Sequence, residues 1–184
     1  MIKRTSKAIV RAMNGVYPRS EEDCIKIEYV IESALSRFVT IFCVFLLCAL
    51  IGNLEESIIC CIAFIVLRSF AGGFHMKTAV GCICISAAVL ISGGFMVHYL
   101  HISQHVYFVL FAMDLLLNYL YAPQHSDNVP ITNKYKDISK WESILVVCIA
   151  GMLMLVVPDP LGKSAVMGVS LETMTILPFF TKHK

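Results

Sequence analysis

The sequence predicts an all-α fold: a polytopic helical membrane protein with about six membrane segments and both termini in the cytoplasm. Three observations predict it. Apolar residues make up 58% of the 184 residues and charged residues only 15%, against roughly 45–50% and about 25% in soluble domains, and the mean hydropathy is +0.75. The apolar residues gather into about six runs near the length a bilayer core requires, separated by short polar turns. Finally, with the N-terminus placed in the cytoplasm, every one of the 15 lysines and arginines except Lys163 falls on the cytoplasmic side, as the positive-inside rule requires.

Residues 1–184 read as a single membrane domain. Residues 1–34 form a basic, interfacial helical segment. Within it, Lys3, Arg4, Lys7, Arg11 and Arg19 mix with Ile2, Ile9, Val10 and Met13. That mixture suits a weakly amphipathic segment on an anionic membrane surface; a solvated arm reads equally well. Ser20 followed by Glu21, Glu22 and Asp23 marks a helix start, a capping hydroxyl ahead of acids in the first turn.

Residues 35–121 carry the first four spans. The first runs from Leu35 to Gly52, and Asn53 to Glu56 is a turn. Ser57 to Leu67 is brief for a crossing and must borrow from its flanks or thin the bilayer. The third span, Thr78 to Leu100, carries Gly81, Ser86, Ser92, Gly93 and Gly94, small residues that let helices approach. His101 to His105 is a turn. The fourth span, Val106 to Tyr121, puts Asp114 and Asn118 on one face, where an acid is functional or paired with another helix. Residues 122–142, with Pro123, Pro130, Lys134, Lys136 and Lys140, read as a basic cytoplasmic loop. Residues 143–184 hold the last two spans: Ser143 to Val157, a turn at Pro158-Asp159-Pro160, and Leu161 to Phe180, which carries Glu172 and breaks near Pro178. A four-span variant with re-entrant segments keeps the same orientation.

Of the eight cysteines, Cys43, Cys48, Cys60, Cys61, Cys84 and Cys148 fall in apolar runs, where a thiol behaves as a small hydrophobe; they do not suggest a disulfide framework. No secretory leader is visible ahead of the first apolar run. A formal charge of +2 gives no ground for a nucleic-acid partner.

The chemistry concentrates in residues 68–84: Arg68, then Gly72-Gly73, His75, and Cys82. A thiol and an imidazole are the minimum for a cysteine nucleophile, the thiolate attacking and the imidazole taking up and returning the proton. On one unbroken helix, residues seven apart would be separated by about 10.5 Å along the axis, too far for that chemistry. The chain must therefore turn between them, which Gly72, Gly73 and Gly81 make cheap. The expected arrangement is a loop holding His75 folded over the start of a helix holding Cys82. A cysteine in a helix's first turn also feels the positive end of the dipole, which favours the thiolate. Residue types alone leave open a cysteine and histidine that merely pack at the membrane edge.

These residues resemble the AgrB-type membrane peptidases of Gram-positive peptide quorum sensing. The resemblance rests on Arg68, Gly73, His75 and Cys82 at matching spacings, on Tyr121-Ala122-Pro123 followed by Pro130-Ile131, and on Glu172-Thr173-Met174-Thr175-Ile176-Leu177-Pro178. It covers nearly the whole chain; Met76 departs from the small residue that often follows the histidine. The resemblance implies cleavage of an AgrD-like propeptide, with Cys82 as nucleophile and His75 as general base and acid. The acyl-enzyme thioester would then be displaced by a cysteine or serine of the peptide, closing a thiolactone or lactone. It further implies shaping or binding roles for Arg68 and Gly73, no cofactor, and a homodimer in the cell membrane with the active site facing the cytoplasm. Glu172 is a supporting or substrate-contacting candidate, or the partner of Arg68. Two rival readings remain at this stage: a peptide or solute exporter whose polar path uses Asp114, Asn118 and Glu172, and a metal-binding protein using His98, His101 and His105, with Cys82 and Cys84 as further candidates.

Overall fold

The structure, a computed structural model, describes residues 2–72, 79–124 and 133–177; the side chains of Ile2, Ala79, Cys82 and residues 133–135 lie outside the description. The described residues form helices and no strand: α1 (Ile2–Val16), α2 (Glu21–Ile51), α3 (Leu54–Ala71), α4 (Ala79–Tyr99), α5 (Gln104–Tyr121), α6 (Asn133–Val156) and α7 (Leu161–Ile176). Helices α2 to α7 coincide with the apolar runs. Two stretches, α2 and residues 136–156 of α6, are long and apolar enough to cross a membrane by length and composition. The chain divides into two compact units, Met1–Cys43 with Met76–Ala87, and Val44–His75 with Ala88–Lys184.

In the first unit the basic N-terminal segment is helical throughout α1. The start of α2 is set as the sequence predicts. The Asp23 N–H donates to Ser20 Oγ at 3.2 Å, and the Ser20 hydroxyl donates to Asp23 Oδ2 at 2.7 Å. With no glycine or proline inside it, α2 continues unbroken for 31 residues. The segment read from sequence as interfacial and the run read as the first span therefore form one helix. It stops at Gly52, whose φ of +88° costs a glycine little and other residues much.

The second unit is built around α7. Gly162, Ser164, Ala165, Gly168, Ser170, Glu172 and Thr173 of this helix are all buried, and it packs against α3, α5 and α6. Small residues make that possible. A β-carbon on Gly168 would collide with the Cys60 carbonyl of α3, and one on Gly162 would lie 2.8 Å from the Leu153 carbonyl of α6. This is the small-residue backbone approach that membrane helices use. Gly93 and Gly94 serve the same end within the chain, Gly93 against Leu171 and Cys60 and Gly94 against Ser57.

Polarity in this unit runs from inside to outside. Asp114, Asn118, Ser143, Ser164, Ser170, Glu172 and Thr173 are buried, while Val109, Met113, Leu116, Leu120, Leu145, Met152, Leu155 and Val156 are exposed. An apolar surface of that extent, rare on a soluble monomer, is what lipid chains solvate.

Two boundaries differ from expectation, the turn before α3 and the start of α6. The turn before α3 is only Gly52-Asn53, so Glu55 and Glu56 lie in the helix's first turn, where carboxylates complement the dipole. The second apolar run, expected to borrow from its flanks, does so and becomes an 18-residue helix. The region 122–142 is not all loop. It is helical from Asn133, which puts Lys134, Lys136 and Lys140 on a polar extension of α6. Lysine and glutamate sustain helix well, and Ser139 and Ser143 turn a buried face inward, the Ser143 hydroxyl donating to the Ser139 carbonyl. The Pro158–Pro160 turn stands, with the Leu161 N–H donating to the Pro158 carbonyl. α7 ends at Ile176, because a proline at 178 disfavours helical backbone at Leu177.

If α7 is packed backbone to backbone against α3, Gly168→Leu lowers stability by about 3 kcal/mol or more, beyond ordinary overpacking, while Gly15→Ala, in open space on α1, does not. Thermal unfolding in detergent micelles checks this; equal melting points for the two variants would contradict it.

Candidate functional site

The described part of the candidate site is the C-terminal end of α3, which leads directly into the motif. Arg68 lies in the last turn of α3, where a cation meets the negative end of the dipole. Its Nη1 donates to both carboxylate oxygens of Glu172 on α7, at 3.0 and 3.2 Å. Glu172 is fully buried and the Arg68 side chain nearly so. The guanidinium also lies over the Phe64 ring, 5.7 Å from its centroid, a distance at which the ring's quadrupole attracts a cation.

One turn later the backbone is held a second time. Gly72 caps α3 with φ +76° and ψ −135°, a combination only glycine adopts readily. Its neighbour across the bridge is Gln124, three residues past the end of α5. The Gln124 N–H donates to the Ala71 carbonyl at 2.8 Å, and a β-carbon on Gly72 would collide with the Gln124 carbonyl. The end of α3 is thus tied to α7 by an ion pair and to the segment after α5 by backbone pairing.

α5 and α7 are tied to each other. The Ser170 hydroxyl donates to Asp114 Oδ2 at 2.6 Å, and Asn118 Nδ2 donates to Thr173 Oγ1 and to the Asp114 carbonyl, each at 2.9 Å. Four residues apart on α5, Asp114 and Asn118 meet residues three apart on α7. These contacts set the rotation of α7, and that rotation aims Glu172 at Arg68. Asp114 therefore has a structural partner in Ser170, as Asn118 has in Thr173 and Glu172 in Arg68. The cavity of about 320 Å³ between α3, α6 and α7 is lined by apolar side chains such as Ile59, Val66, Val146, Leu153 and Ala165.

Of the residues the sequence singles out, the structure brings together Arg68 and Glu172 and places Gly72 beside them. Cys82 is the fourth residue of α4, in its first turn, as predicted; its side chain lies outside the described residues. Gly73, His75 and Met76 lie outside them entirely, as do Pro130, Ile131 and Pro178. Among the described residues no group of three or more metal-binding side chains converges. His98, considered as a metal ligand, instead pairs through Nδ1 with Glu56 Oε1 at 2.8 Å. Sequence reasoning missed that pair, and also Gln124, which acts through its backbone and leaves no residue-type signal. An acid in the first turn of α3 and a histidine in the last turn of α4 were the available hint for the first.

The ion pair makes a stability prediction. Removing one member leaves a buried charge uncompensated and costs about 3–5 kcal/mol. Glu172→Leu alone should therefore unfold at a markedly lower temperature than wild type, and Arg68→Met with Glu172→Leu should recover most of the loss. A double variant no more stable than the single one would contradict a compensated pair.

Comparison with known proteins places the chain. The family model described as accessory gene regulator B matches residues 4–176. An AgrB-like protein of Clostridium acetobutylicum is 27% identical over 162 residues, covering 87% of this chain and 78% of that protein. Accessory gene regulator protein B of Staphylococcus haemolyticus is 24% identical over 119 residues, 65% of this chain and 63% of its own length. Protein FsrB of Enterococcus faecalis is 28% identical over 137 residues, 73% of this chain and 57% of its own. The matches thus span less than two thirds of the length of the latter two relatives. No solved structure matches the chain. A match running from the first turn of α1 to the last residue of α7 means that the chain belongs to the AgrB family.

Proposed function

We propose that this chain is a multi-pass cell-membrane cysteine endopeptidase. In this reading it removes the C-terminal tail of an AgrD-like, quorum-sensing propeptide at a site facing the cytoplasm and lets the remainder cyclise. The observation that carries the reading is the spacing of Arg68, Gly73, His75 and Cys82 in a chain of this family. Its support in the fold is that Cys82 falls in the first turn of a helix and that the chain enters the motif from a doubly held helix end.

The steps follow from those residue types. The Cys82 thiolate, favoured by the positive end of α4, attacks the scissile carbonyl of the propeptide. Backbone N–H groups at the start of α4 stabilise the oxyanion. His75 holds the thiol proton and returns it to the departing amine of the tail. The peptide body is then a thioester on Cys82 Sγ. A thiol or hydroxyl within the peptide attacks that thioester, the ring closes, and the thiolate leaves and is reprotonated through His75. Attack within one bound peptide is effectively unimolecular, and a site at the membrane edge keeps out the water that would hydrolyse the thioester.

In this account Arg68 and Glu172 position the motif and do not react. Release of the tail from a co-expressed cognate propeptide tests the assignment. Cys82→Ala and His75→Ala should abolish release, and Cys84→Ala, two residues from the nucleophile, should retain it. Release by Cys82→Ala would remove the nucleophile and revive the exporter reading.

A further inference from the structure

We propose that α1 is a docking surface for anionic phospholipid headgroups, lying along the membrane surface. This does not rest on the peptidase reading. On a helical projection Lys3, Arg4, Lys7 and Arg11 fall within roughly 100° of arc, and all four are exposed. Ile9, Met13 and Val16 lie on the opposite side and are exposed at 38%, 39% and 74%, continued by Tyr17 at 72%. Between the two stripes, Ser6 and Val10 are buried. The buried residues belong to neither stripe, and both stripes stay exposed. No acidic residue occurs between Ile2 and Val16.

The choice of occupant follows from the combination. A soluble acidic peptide, such as the tail of a propeptide, would be met by the cations alone and would leave the apolar stripe in water. A second copy of α1 would bring like charges together. A bilayer surface satisfies both stripes at once, with the apolar side chains at the acyl boundary and the basic ones among phosphates. Arginine and lysine there each contribute about a fivefold factor in binding to an anionic leaflet. The anchor would hold the start of the chain against the cytoplasmic leaflet, where such lipids concentrate.

The test is hydrogen exchange of the α1 amides in the full-length protein, in nanodiscs of phosphatidylcholine alone and of phosphatidylcholine with phosphatidylglycerol. The expected result is exchange at least about fivefold slower in the anionic discs. That protection should shrink in 1 M salt, where the screening length falls to about 3 Å, and vanish in a K3Q/R4Q/K7Q/R11Q variant whose α4–α7 amides exchange as in wild type. A second variant, Met13→Asn, keeps the charges and should lose part of the protection. Equal exchange in the two disc types would overturn the proposal and leave α1 a solvated arm or an internal contact. Protection that appears only on adding a poly-glutamate peptide to neutral discs would also overturn it, and would assign the basic stripe to an acidic peptide.

Discussion

Much of the second unit depends on where a single buried carboxylate points. Glu172 has no exposure at all, and an ionised group so placed is tolerable only with a well-formed partner. The partner is Arg68, at the far end of another helix. Meeting it requires α7 to sit at the centre of the bundle, in one rotation and at one height. The small residues of α7 allow the approach, and the polar contacts from α5 select the rotation. Neither would specify the structure alone: glycines permit many packings, and hydroxyls and amides find partners in many registers.

The same constraint links packing to chemistry. Arg68 lies one turn before Gly72, and Gly72 leads into the stretch carrying His75. An ion pair holding one turn and a backbone pairing holding the next leave the chain little freedom in how it enters the motif. In the proposed mechanism a nucleophile and its base must meet within about 3 Å, and a fixed helix end ahead of them favours that. Arg68 is thus intelligible without any contact to substrate. It anchors a helix end, and Glu172 is the reason it can.

Most of the architecture was legible because it depends on local rules. Hydropathy located α2 to α7, Ser20 marked the start of α2, and Pro158, Pro160 and Pro178 bounded α7. The misplaced boundary at Asn133 arose where composition argues for loop while propensity argues for helix, since Lys134 to Glu142 is polar yet carries strong helix formers. Pairings between helices were harder. Arg68–Glu172 was foreseeable as one of a few possible charge pairs in apolar surroundings. Asn118–Thr173 and the Ala71–Gln124 backbone bond were not, because they depend on helix rotation and on a strand-like crossing that no single segment encodes. The identity of Cys82 and His75 as a pair rests on spacing and family, which is why the decisive observation is chemical.

That observation is the mass of the protein itself. The purified protein in nanodiscs would be given a propeptide whose ring-forming residue is replaced by alanine, so that an acyl-enzyme, once formed, has no internal nucleophile to release it. The account predicts a protein adduct equal in mass to the peptide without its tail, located at Cys82 by peptide mapping and removed by hydroxylamine as a thioester is. Tail release without any adduct, or an adduct on another residue, would contradict it.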